Sequence, residues 1–309
     1  MKIDGKLIAS QIKEDLKVQV EKLISNGISP QLAVIYVGDD PSSAAYIRQK
    51  EKVGTEIGVK VNVIKIQSLK DTKLQKSEII ELLDKLNKDP DIHGIIIQRP
   101  VPLTFSKEEL DLMVIPEKDV DAFHPQTLVQ PPIAEAVIKI LEWVKNELDS
   151  NVIARSEATK QSRPNIKNDN IIEWLNKQII VVIGRGDTAG KPIAETLIKS
   201  GVNITVAHSK TENIDKLCRN AGIIISCVGK PNVVRRDMVT DKSILIGVGL
   251  HQEEGKLKTD YNLEEMAEIV SYWTPVPGGV GPVNVACLFE NLIVLTSGIR
   301  KEQSYFSSN

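Results

Sequence analysis

The sequence predicts a two-domain α/β protein in which parallel sheets carry helices on their faces. Short apolar runs rich in β-branched residues alternate with amphipathic helical patterns, an order typical of parallel strands joined by helices. A glycine-rich turn between one such strand and the following helix, at residues 178–192, indicates a phosphate-binding site. The 309 residues, 41% of them hydrophobic, are enough to build two cores of ordinary size.

The N-terminal half alternates predicted helices and strands. Apolar residues recur at helical spacing over residues 5–25. Buried-type strands follow at 32–37, 59–66 and 93–98, with one helix ending near residue 57 and another at 77–87. Ligands of parallel sheets bind outside the carboxyl ends of the strands, so we expect a site among residues 38–43, 98–102 and 119–125.

Four polar residues near those strand ends are candidates for chemistry. Tyr46 and Lys50 are four residues apart and share one helix face, although such residues are most often solvated on a protein surface. Gln98 closes an apolar run, where its amide can hydrogen-bond a lysine or a ligand. Asp121 lies between apolar residues, which favours a carboxylate in partly apolar surroundings; the alternative is an aspartate that caps its own loop.

The glycine turn is the strongest binding signal in the C-terminal half. Gly184, Gly186 and Gly190 connect the apolar strand 179–183 to a helical pattern. Such a turn lets backbone amides approach a pyrophosphate and points the positive end of the helix dipole at it, which predicts a dinucleotide site. The spacing G-x-G-x-x-x-G, taken alone, fits an ordinary strand-to-helix turn equally well.

The end of the next strand, 202–207, indicates which dinucleotide is bound. NAD sites usually place an acidic residue there for the ribose hydroxyls, whereas NADP sites place groups that accept a 2′-phosphate. This strand ends in His208, Ser209, Lys210 and Thr211, and Arg185 adds positive charge inside the turn. These residues favour NADP over NAD; the alternative is a polar turn before a helix.

The remaining segments connect and complete the second domain. Residues 131–148 predict an amphipathic helix that links the domains, and the polar, aperiodic segment 149–170 predicts a flexible surface loop, with a short helix as the alternative. Strands at 223–228, 244–248 and 269–273 continue the sheet. The proline- and glycine-rich segment 274–286 then fixes an unusual backbone at the predicted mouth of the cofactor site.

Composition excludes several classes of protein. A net charge of −2 argues against a nucleic-acid or membrane-surface protein. The first residues lack an apolar leader, and the late apolar run 285–295 is interrupted and too short for a bilayer, so we expect a soluble, cytoplasmic protein. The three cysteines and four histidines lack metal-ligand spacing, so neither a disulfide framework nor a metal is expected.

Three motifs carry a family resemblance: VGDDPSSAAYIRQK at 37–50, KDVDAFHP at 118–125 and TPVPGGVGP at 274–282. Together they resemble the bifunctional methylenetetrahydrofolate dehydrogenase/methenyltetrahydrofolate cyclohydrolase family. The resemblance implies a catalytic folate domain over 1–126 that also receives the C-terminal helix 285–300, and a Rossmann-like NADP domain over 127–284. It further implies folate bound between the domains, and a homodimer.

The family's residues map onto this chain one by one. The resemblance implies catalytic and folate-binding roles for Lys50, Tyr46, Gln98 and Asp121, and folate contacts from Pro277, Gly278 and Gly279. The implied NADP-binding residues are Gly184, Arg185, Gly186, Asp187, Gly190, His208, Ser209, Val228, Gly229, Val248 and Gly249. Lys50 would move protons in the cyclohydrolase step, with its pKa lowered by the cationic substrate and its ammonium held by Gln98.

Two departures from the family pattern leave alternatives open. Arg99 stands where the family usually has an apolar residue, and Gly186 and Asp187 change the glycine turn. A member that retains only the cyclohydrolase is one alternative, and a non-catalytic folate- or NADP-binding protein is another. The joint presence of Tyr46 and Lys50 with Gln98 and Asp121 favours an enzyme.

Overall fold

A computed structural model describes residues 1–38, 40–67, 72–101, 105–158 and 170–298. The chain divides into two compact units. One comprises Ser10–Pro132 and the chain from Val285 onward, and we call it the lysine unit. The other comprises Met1–Ala9 and Ile133–Asn284, and we call it the glycine-turn unit.

The lysine unit is built on a three-stranded parallel sheet. Its strands lie in the order β2, β1, β3, where β1 is Gln31–Val37, β2 is Lys60–Ile66 and β3 is Gly94–Ile97. The accompanying helices are α1 (Gly5–Ser25, from Ser10 in this unit), α2 (Pro41–Ile57), α3 (Thr72–Lys88), α4 (Lys107–Leu112) and, from Val285, α10 (Val280–Ser297). The central strand β1 is buried on both faces from Leu32 onward, which explains its unbroken apolar run.

The glycine-turn unit is built on a five-stranded parallel sheet. The strand order is β10, β7, β6, β4, β5. The chain adds β5 on one side of β4 and the later strands on the other side, so the topological switch point lies between β4 and β6. The strands are β4 (Ile180–Ile183), β5 (Thr205–Ala207), β6 (Ile223–Ser226), β7 (Ile244–Gly247) and β10 (Tyr272–Trp273), and the helices are α5 (Pro132–Ala158), α6 (Ile171–Asn176), α7 (Gly190–Lys199), α8 (Ile214–Asn220) and α9 (Leu263–Ala267). Both sheets confirm the predicted α/β class with parallel strands.

The two compact units divide the chain at other positions than the predicted domain limits. Residues Met1–Ala9 belong to the glycine-turn unit, because the Ile3 amide donates to the Trp273 carbonyl and the Trp273 amide donates to the Met1 carbonyl. Ile3 is fully buried there. The other limit falls after Pro132 instead of after residue 126. Backbone pairing between residues about 270 positions apart cannot be predicted from a local sequence pattern.

The first part of the segment 149–170 is helical and is not the loop that its polarity predicts. Helix α5 continues to Ala158, because alanine, arginine and glutamate favour a helix even where no apolar stripe is present. Lys145 supports this extension through an ion pair of 2.8 Å with Asp149. Residues 159–169 lie outside the described residues. Asn170 then caps α6 by accepting the Glu173 amide at 2.9 Å.

A short antiparallel hairpin was also missing from the prediction. Strands β8 (Leu250–Glu253) and β9 (Lys256–Thr259) are joined by Glu254 and Gly255, which both have positive φ, as a two-residue hairpin turn requires. Most of the hairpin side chains are polar, so their alternation gave no apolar period to detect.

Helix α10 is the apolar core helix of the lysine unit from Val285 onward. The whole helix, which is longer than the apolar run 285–295, is by length and composition alone able to cross a membrane, but 56% of it is buried within the protein. Asn291, the polar residue of its buried face, donates to the carbonyls of Val120 at 2.9 Å and Gln130 at 2.8 Å. The C-terminal helix therefore returns to the first domain, as predicted.

Candidate functional site

Helix α2 places Lys50 in the interior of the lysine unit. The helix begins behind Asp40, whose carboxylate accepts the Ser43 amide at 2.7 Å, and it ends at Gly58 in the left-handed region. Lys50 is only 7% exposed, whereas Tyr46, one turn earlier, is half-buried. The surface interpretation of this pair is therefore wrong for Lys50.

Gln98 holds the Lys50 ammonium. The Gln98 backbone amide donates to the Ile35 carbonyl at 2.8 Å, which fixes the residue at the end of β3. Lys50 Nζ donates to Gln98 Oε1 at 3.0 Å, and Gln98 Nε2 donates to the Arg99 carbonyl at 3.1 Å. The amide oxygen therefore points at the lysine because the amide NH₂ is used elsewhere. This contact confirms the hydrogen bond predicted between Gln98 and a lysine.

Burial perturbs the titration of this cluster. Burial lowers the pKa of Lys50, and the nearby charge of Asp121 opposes that shift. Burial also raises the pKa of Tyr46, which keeps its phenol protonated. The sequence argument attributed a lowered lysine pKa to a cationic substrate, whereas the fold itself already lowers it.

Asp121 lies within electrostatic reach of Lys50. Burial raises the pKa of Asp121, while the positive charges of Lys50 and Arg99 lower it. The structure therefore brings Lys50, Gln98 and Asp121 into one cluster from three separate stretches of sequence. Their catalytic roles remain predictions.

Asp119 is the residue of this region that sequence reasoning missed. It is 3% exposed, and its carboxylate accepts the His124 amide at 2.7 Å. The pKa of Asp119 is raised to about 7: burial and the negative charge of Asp121 raise it, and hydrogen bonds from the backbone amides of His124 and two neighbours lower it. Asp119 therefore caps the loop, the role that the alternative interpretation gave to Asp121.

Arg99 contacts the same loop through Phe123. Its guanidinium lies 3.9 Å from the centre of the Phe123 ring and forms an ion pair of 2.5 Å with the buried Asp111. Lys107 also pairs with Asp111, at 2.7 Å. The departure from the family pattern at Arg99 thus stabilises the segment that carries Asp121.

The glycine turn of the other unit is tightly built around Gly184 and Gly190. Gly184 has a φ of 106°, and its amide donates to the Ala207 carbonyl at 2.8 Å. A Cβ on Gly190 would lie 2.3 Å from the Gly184 carbonyl oxygen, so only glycine permits this contact. Arg185, Gly186 and Asp187 are exposed along the rim of the turn. Helix α7 starts there without a side-chain cap, and its Gly190 amide is the one left for an anion, because the Lys191 amide donates to the Gly186 carbonyl at 3.0 Å and Pro192 has no N–H.

His208 and Ser209 follow β5, next to the strand that carries the turn. The His208 amide donates to Thr211 Oγ1 at 2.9 Å, and the Lys210 amide donates to His208 Nδ1 at 3.1 Å. Since Nδ1 accepts a hydrogen bond, the neutral ring carries its proton on Nε2 and can donate it to a phosphate. Ser209 is exposed beside it. This geometry suits the predicted 2′-phosphate contact.

The other predicted binding residues of this unit surround the remaining strand ends. Val228 and Gly229 follow β6, and Val248 and Gly249 follow β7. After β10, Pro277, Gly278 and Gly279 form a tight turn that requires glycine, because Gly278 has a φ of 98° and a Cβ on Gly279 would lie 2.4 Å from the Pro275 carbonyl oxygen. The contact of this turn with folate remains a prediction. Within the ranges described above, no cluster of His, Cys, Asp or Glu side chains could hold a metal ion.

The fold and these two sites define a class of protein. A parallel sheet that carries a glycine turn at its switch point is the architecture of dinucleotide-dependent α/β enzymes. A second unit that buries an amine beside an amide and a carboxylate adds groups suited to proton transfer. The chain therefore has the fold and the chemistry of a dinucleotide-dependent enzyme.

Comparison with known proteins identifies the family. Residues 3–121 match the catalytic domain of the tetrahydrofolate dehydrogenase/cyclohydrolase family, and residues 158–299 match its NAD(P)-binding domain. The bifunctional protein FolD of Lactobacillus acidophilus is 36% identical over 303 residues, covering 95% of this chain and 96% of that protein. The chain belongs to the tetrahydrofolate dehydrogenase/cyclohydrolase family, which confirms the resemblance.

Solved structures agree with this assignment. The bifunctional FolD enzyme of Campylobacter jejuni has a TM-score of 0.82 and 32% identity, covering 96% of this chain and 99% of that one. The Trypanosoma brucei methylenetetrahydrofolate dehydrogenase-cyclohydrolase, solved with NADP and an inhibitor, has a TM-score of 0.79 and 25% identity, covering 96% and 97%. The fold and the enzyme class of the chain are therefore those of a folate dehydrogenase and cyclohydrolase.

Proposed function

We propose that Lys50 moves the protons in the second of two consecutive reactions that this enzyme catalyses on tetrahydrofolates. The first reaction oxidises 5,10-methylenetetrahydrofolate to the 5,10-methenyl cation with NADP, and the second hydrolyses that cation to 10-formyltetrahydrofolate. The observation that carries the assignment is the buried Lys50 ammonium, 3.0 Å from Gln98 and within electrostatic reach of Asp121.

The oxidation step requires no acid–base catalysis by the protein. The folate nitrogens stabilise the cation that forms when the hydride leaves, so no acid is needed. NADP, when bound, accepts the hydride. The protein's contribution is to position the two reactants, and small errors in such positioning are costly.

The hydrolysis requires three proton transfers. Water adds to the methenyl carbon and loses a proton; the ring then opens when the bond from that carbon to a folate nitrogen breaks, the nitrogen gains a proton, and the remaining hydroxyl proton leaves to solvent as the formyl C=O forms. A neutral Lys50 amine takes the first proton and returns it to the leaving nitrogen. Burial favours the neutral amine, and Gln98 keeps it in place in both protonation states.

Asp121 binds the pterin. A carboxylate accepts hydrogen bonds from the amino group and the adjacent ring N–H in a bidentate pattern. That role needs the ionised form; burial raises the pKa of Asp121, and the positive charges of Lys50 and Arg99 oppose that rise. The half-buried Tyr46 orders the site and stacks on the substrate.

NADP is the coenzyme, and the residues present fit it. The glycine turn and the uncapped start of α7 hold the pyrophosphate, while Arg185, His208 and Ser209 hold the 2′-phosphate. We further propose a cytoplasmic homodimer on the basis of the family resemblance. Light scattering of the purified protein tests the dimer, and a mass of about one chain, 34.1 kDa, contradicts it.

The assay of both reactions tests this function. The purified protein is given 5,10-methylenetetrahydrofolate with NADP or NAD, and reduced coenzyme and methenyl intermediate are followed by absorbance. We expect faster reduction of NADP and little accumulation of the methenyl compound. If no coenzyme is reduced, methenyltetrahydrofolate is supplied directly. If the protein then hydrolyses methenyltetrahydrofolate, it is a cyclohydrolase alone. If it does not, it is a non-catalytic binding protein.

Replacing Gln98 with glutamate should shift the pH dependence of hydrolysis. A carboxylate 3.0 Å from Lys50 Nζ stabilises the ammonium and raises the pKa of Lys50, so more alkaline conditions are needed to form the neutral amine. The limb of the pH–rate profile that reports this ionisation should move up by about 1 pH unit or more. Gln49→Glu, at an exposed position of the same helix, should leave it in place. An unmoved limb in Gln98→Glu contradicts the assignment.

A further inference from the structure

Asp260 is a fully buried carboxylate that the two reactions leave without a role. It lies between β9 and α9, and its relative exposure is 0%. Its Oδ2 accepts the Ser226 hydroxyl at 2.6 Å and the Val228 amide at 2.8 Å. Its Oδ1 accepts the amides of Gly229 at 2.7 Å and Lys230 at 3.0 Å. Four donors therefore converge on one side chain, which compensates for burying its charge.

Two predicted cofactor glycines are needed to seat this carboxylate. A Cβ on Gly249 would lie 2.4 Å from Asp260 Oδ2 and equally close to the Gly229 amide nitrogen. Gly229 has a φ of 73°, and a Cβ there would lie 2.9 Å from the Leu250 carbonyl oxygen. The glycines thus allow the backbones after β6 and β7 to close around Asp260.

The loop that Asp260 holds, Val228–Lys230, adjoins the glycine turn. The Cys227 amide donates to the Ile183 carbonyl at 2.8 Å, and a Cβ on Gly184 would lie 2.9 Å from the Cys227 carbonyl oxygen. The loop follows β6, on the opposite side of β4 from β5. It is therefore on the far side of the turn from His208 and the 2′-phosphate.

The loop amides are unavailable to a phosphate, because all three donate to Asp260. What the loop can present to a ligand is its carbonyl oxygens, the Val228 side chain, which is 37% exposed, and the exposed Lys230 side chain. Carbonyl oxygens accept hydrogen bonds from ribose hydroxyls and from a carboxamide NH₂, and an apolar side chain can cover an aromatic ring. Such a surface suits the nicotinamide riboside half of the coenzyme.

We infer that Asp260 is a positioning residue for the nicotinamide half of NADP, acting by holding the loop Val228–Lys230. The inference rests on the proposed dehydrogenase. It assigns a role to a residue that does not touch the coenzyme, and it separates the two halves of the binding site. The adenosine half depends on the glycine turn and His208, and the nicotinamide half depends on Asp260.

The test compares Asp260→Asn with the parent enzyme. Asparagine keeps the shape but replaces one acceptor oxygen with an NH₂ donor that faces other donors. We expect the Kd for NADP, measured by calorimetry, to rise at least tenfold and the KM for NADP to rise with it. The Kd for adenosine 2′,5′-bisphosphate, which lacks the nicotinamide half, should change less than twofold. Hydrolysis of methenyltetrahydrofolate needs no coenzyme and should also change less than twofold.

Two further variants keep the outcome decisive. Ser226→Ala removes one of the four donors and should raise the Kd for NADP about threefold, while Asp241→Asn, at an exposed position of the same unit, should change nothing. An unchanged Kd for NADP in Asp260→Asn, or an equal loss for NADP and the bisphosphate, overturns the inference. If Asp260→Asn does not fold and Ser226→Ala binds NADP normally, Asp260 only stabilises the fold and the inference also fails. A failure of the proposed dehydrogenase function gives a different result: the parent enzyme binds NADP but does not reduce it.

Discussion

The variant Lys50→Met should lose the hydrolysis of methenyltetrahydrofolate while it still binds folate. Methionine matches the length and the apolar stem of a side chain that is only 7% exposed, so the fold should tolerate it, but it cannot carry a proton. General acid–base groups contribute about 10²- to 10⁴-fold in rate, and we expect a loss of that size in the hydrolysis rate. The measurement is the decay of methenyltetrahydrofolate absorbance with and without the enzyme.

The same variant separates the two reactions. Because the hydride transfer needs no acid, NADP reduction should continue within a few-fold of the parent rate, and the methenyl compound should now accumulate. Lys52→Met, at an exposed position of the same helix, is the matched control and should hydrolyse normally. A hydrolysis rate in Lys50→Met equal to that of the parent would remove the role proposed for Lys50.

The residues of this site could be named from the sequence, but their surroundings could not. Lys50 and Gln98 stood out because a strand end and a helix face are local features. Their mutual contact joins residues 48 positions apart, and the burial that lowers the lysine pKa comes from the packed unit. A local pattern identifies the elements that can carry a site, whereas tertiary packing sets their charge states.

The two aspartates of the D-V-D segment show this limit clearly. Sequence alone could not decide whether Asp121 caps its loop, because both aspartates lie in the same irregular stretch. The structure gives the capping role to Asp119, which accepts the His124 amide. The stretch is further fixed by Asn291, which donates to the Val120 carbonyl from 171 residues away. That contact ties the peptide between the two aspartates to α10.

Asp260 was missed for the same reason. It follows a polar hairpin that had no apolar period, and its partner Ser226 is 34 residues earlier. Sequence reasoning found Gly229 and Gly249 through the family resemblance, but assigned them to direct coenzyme contact. Their geometry adds a second reason for glycine at both positions: a Cβ on Gly249 would meet the Asp260 carboxylate, and one on Gly229 would meet the Leu250 carbonyl. Their contact with the coenzyme remains a prediction.

The variant Gly190→Ala should damage the dehydrogenase more than any other change to the glycine turn. The new Cβ would lie 2.3 Å from the Gly184 carbonyl oxygen and 2.6 Å from its carbonyl carbon. Both are backbone atoms of the turn, so the strand and the helix must move apart. Overpacking of this kind costs about 1 to 3 kcal/mol, and here the strain falls on the backbone that receives the pyrophosphate.

We expect the Kd of this variant for NADP to rise at least tenfold, measured by calorimetry, and the rate of NADP reduction at low coenzyme to fall equally. Hydrolysis of methenyltetrahydrofolate should persist, because Lys50 and Gln98 belong to the other unit. Gly186→Ala provides the comparison for the fold: a Cβ there meets nothing within 4 Å, so its melting temperature should match that of the parent. Normal NADP affinity in Gly190→Ala would mean that the turn does not hold the pyrophosphate. If the variant lost both hydrolysis and NADP binding, the strain would have spread beyond the turn. A defect confined to coenzyme binding cannot slow a reaction that uses no coenzyme.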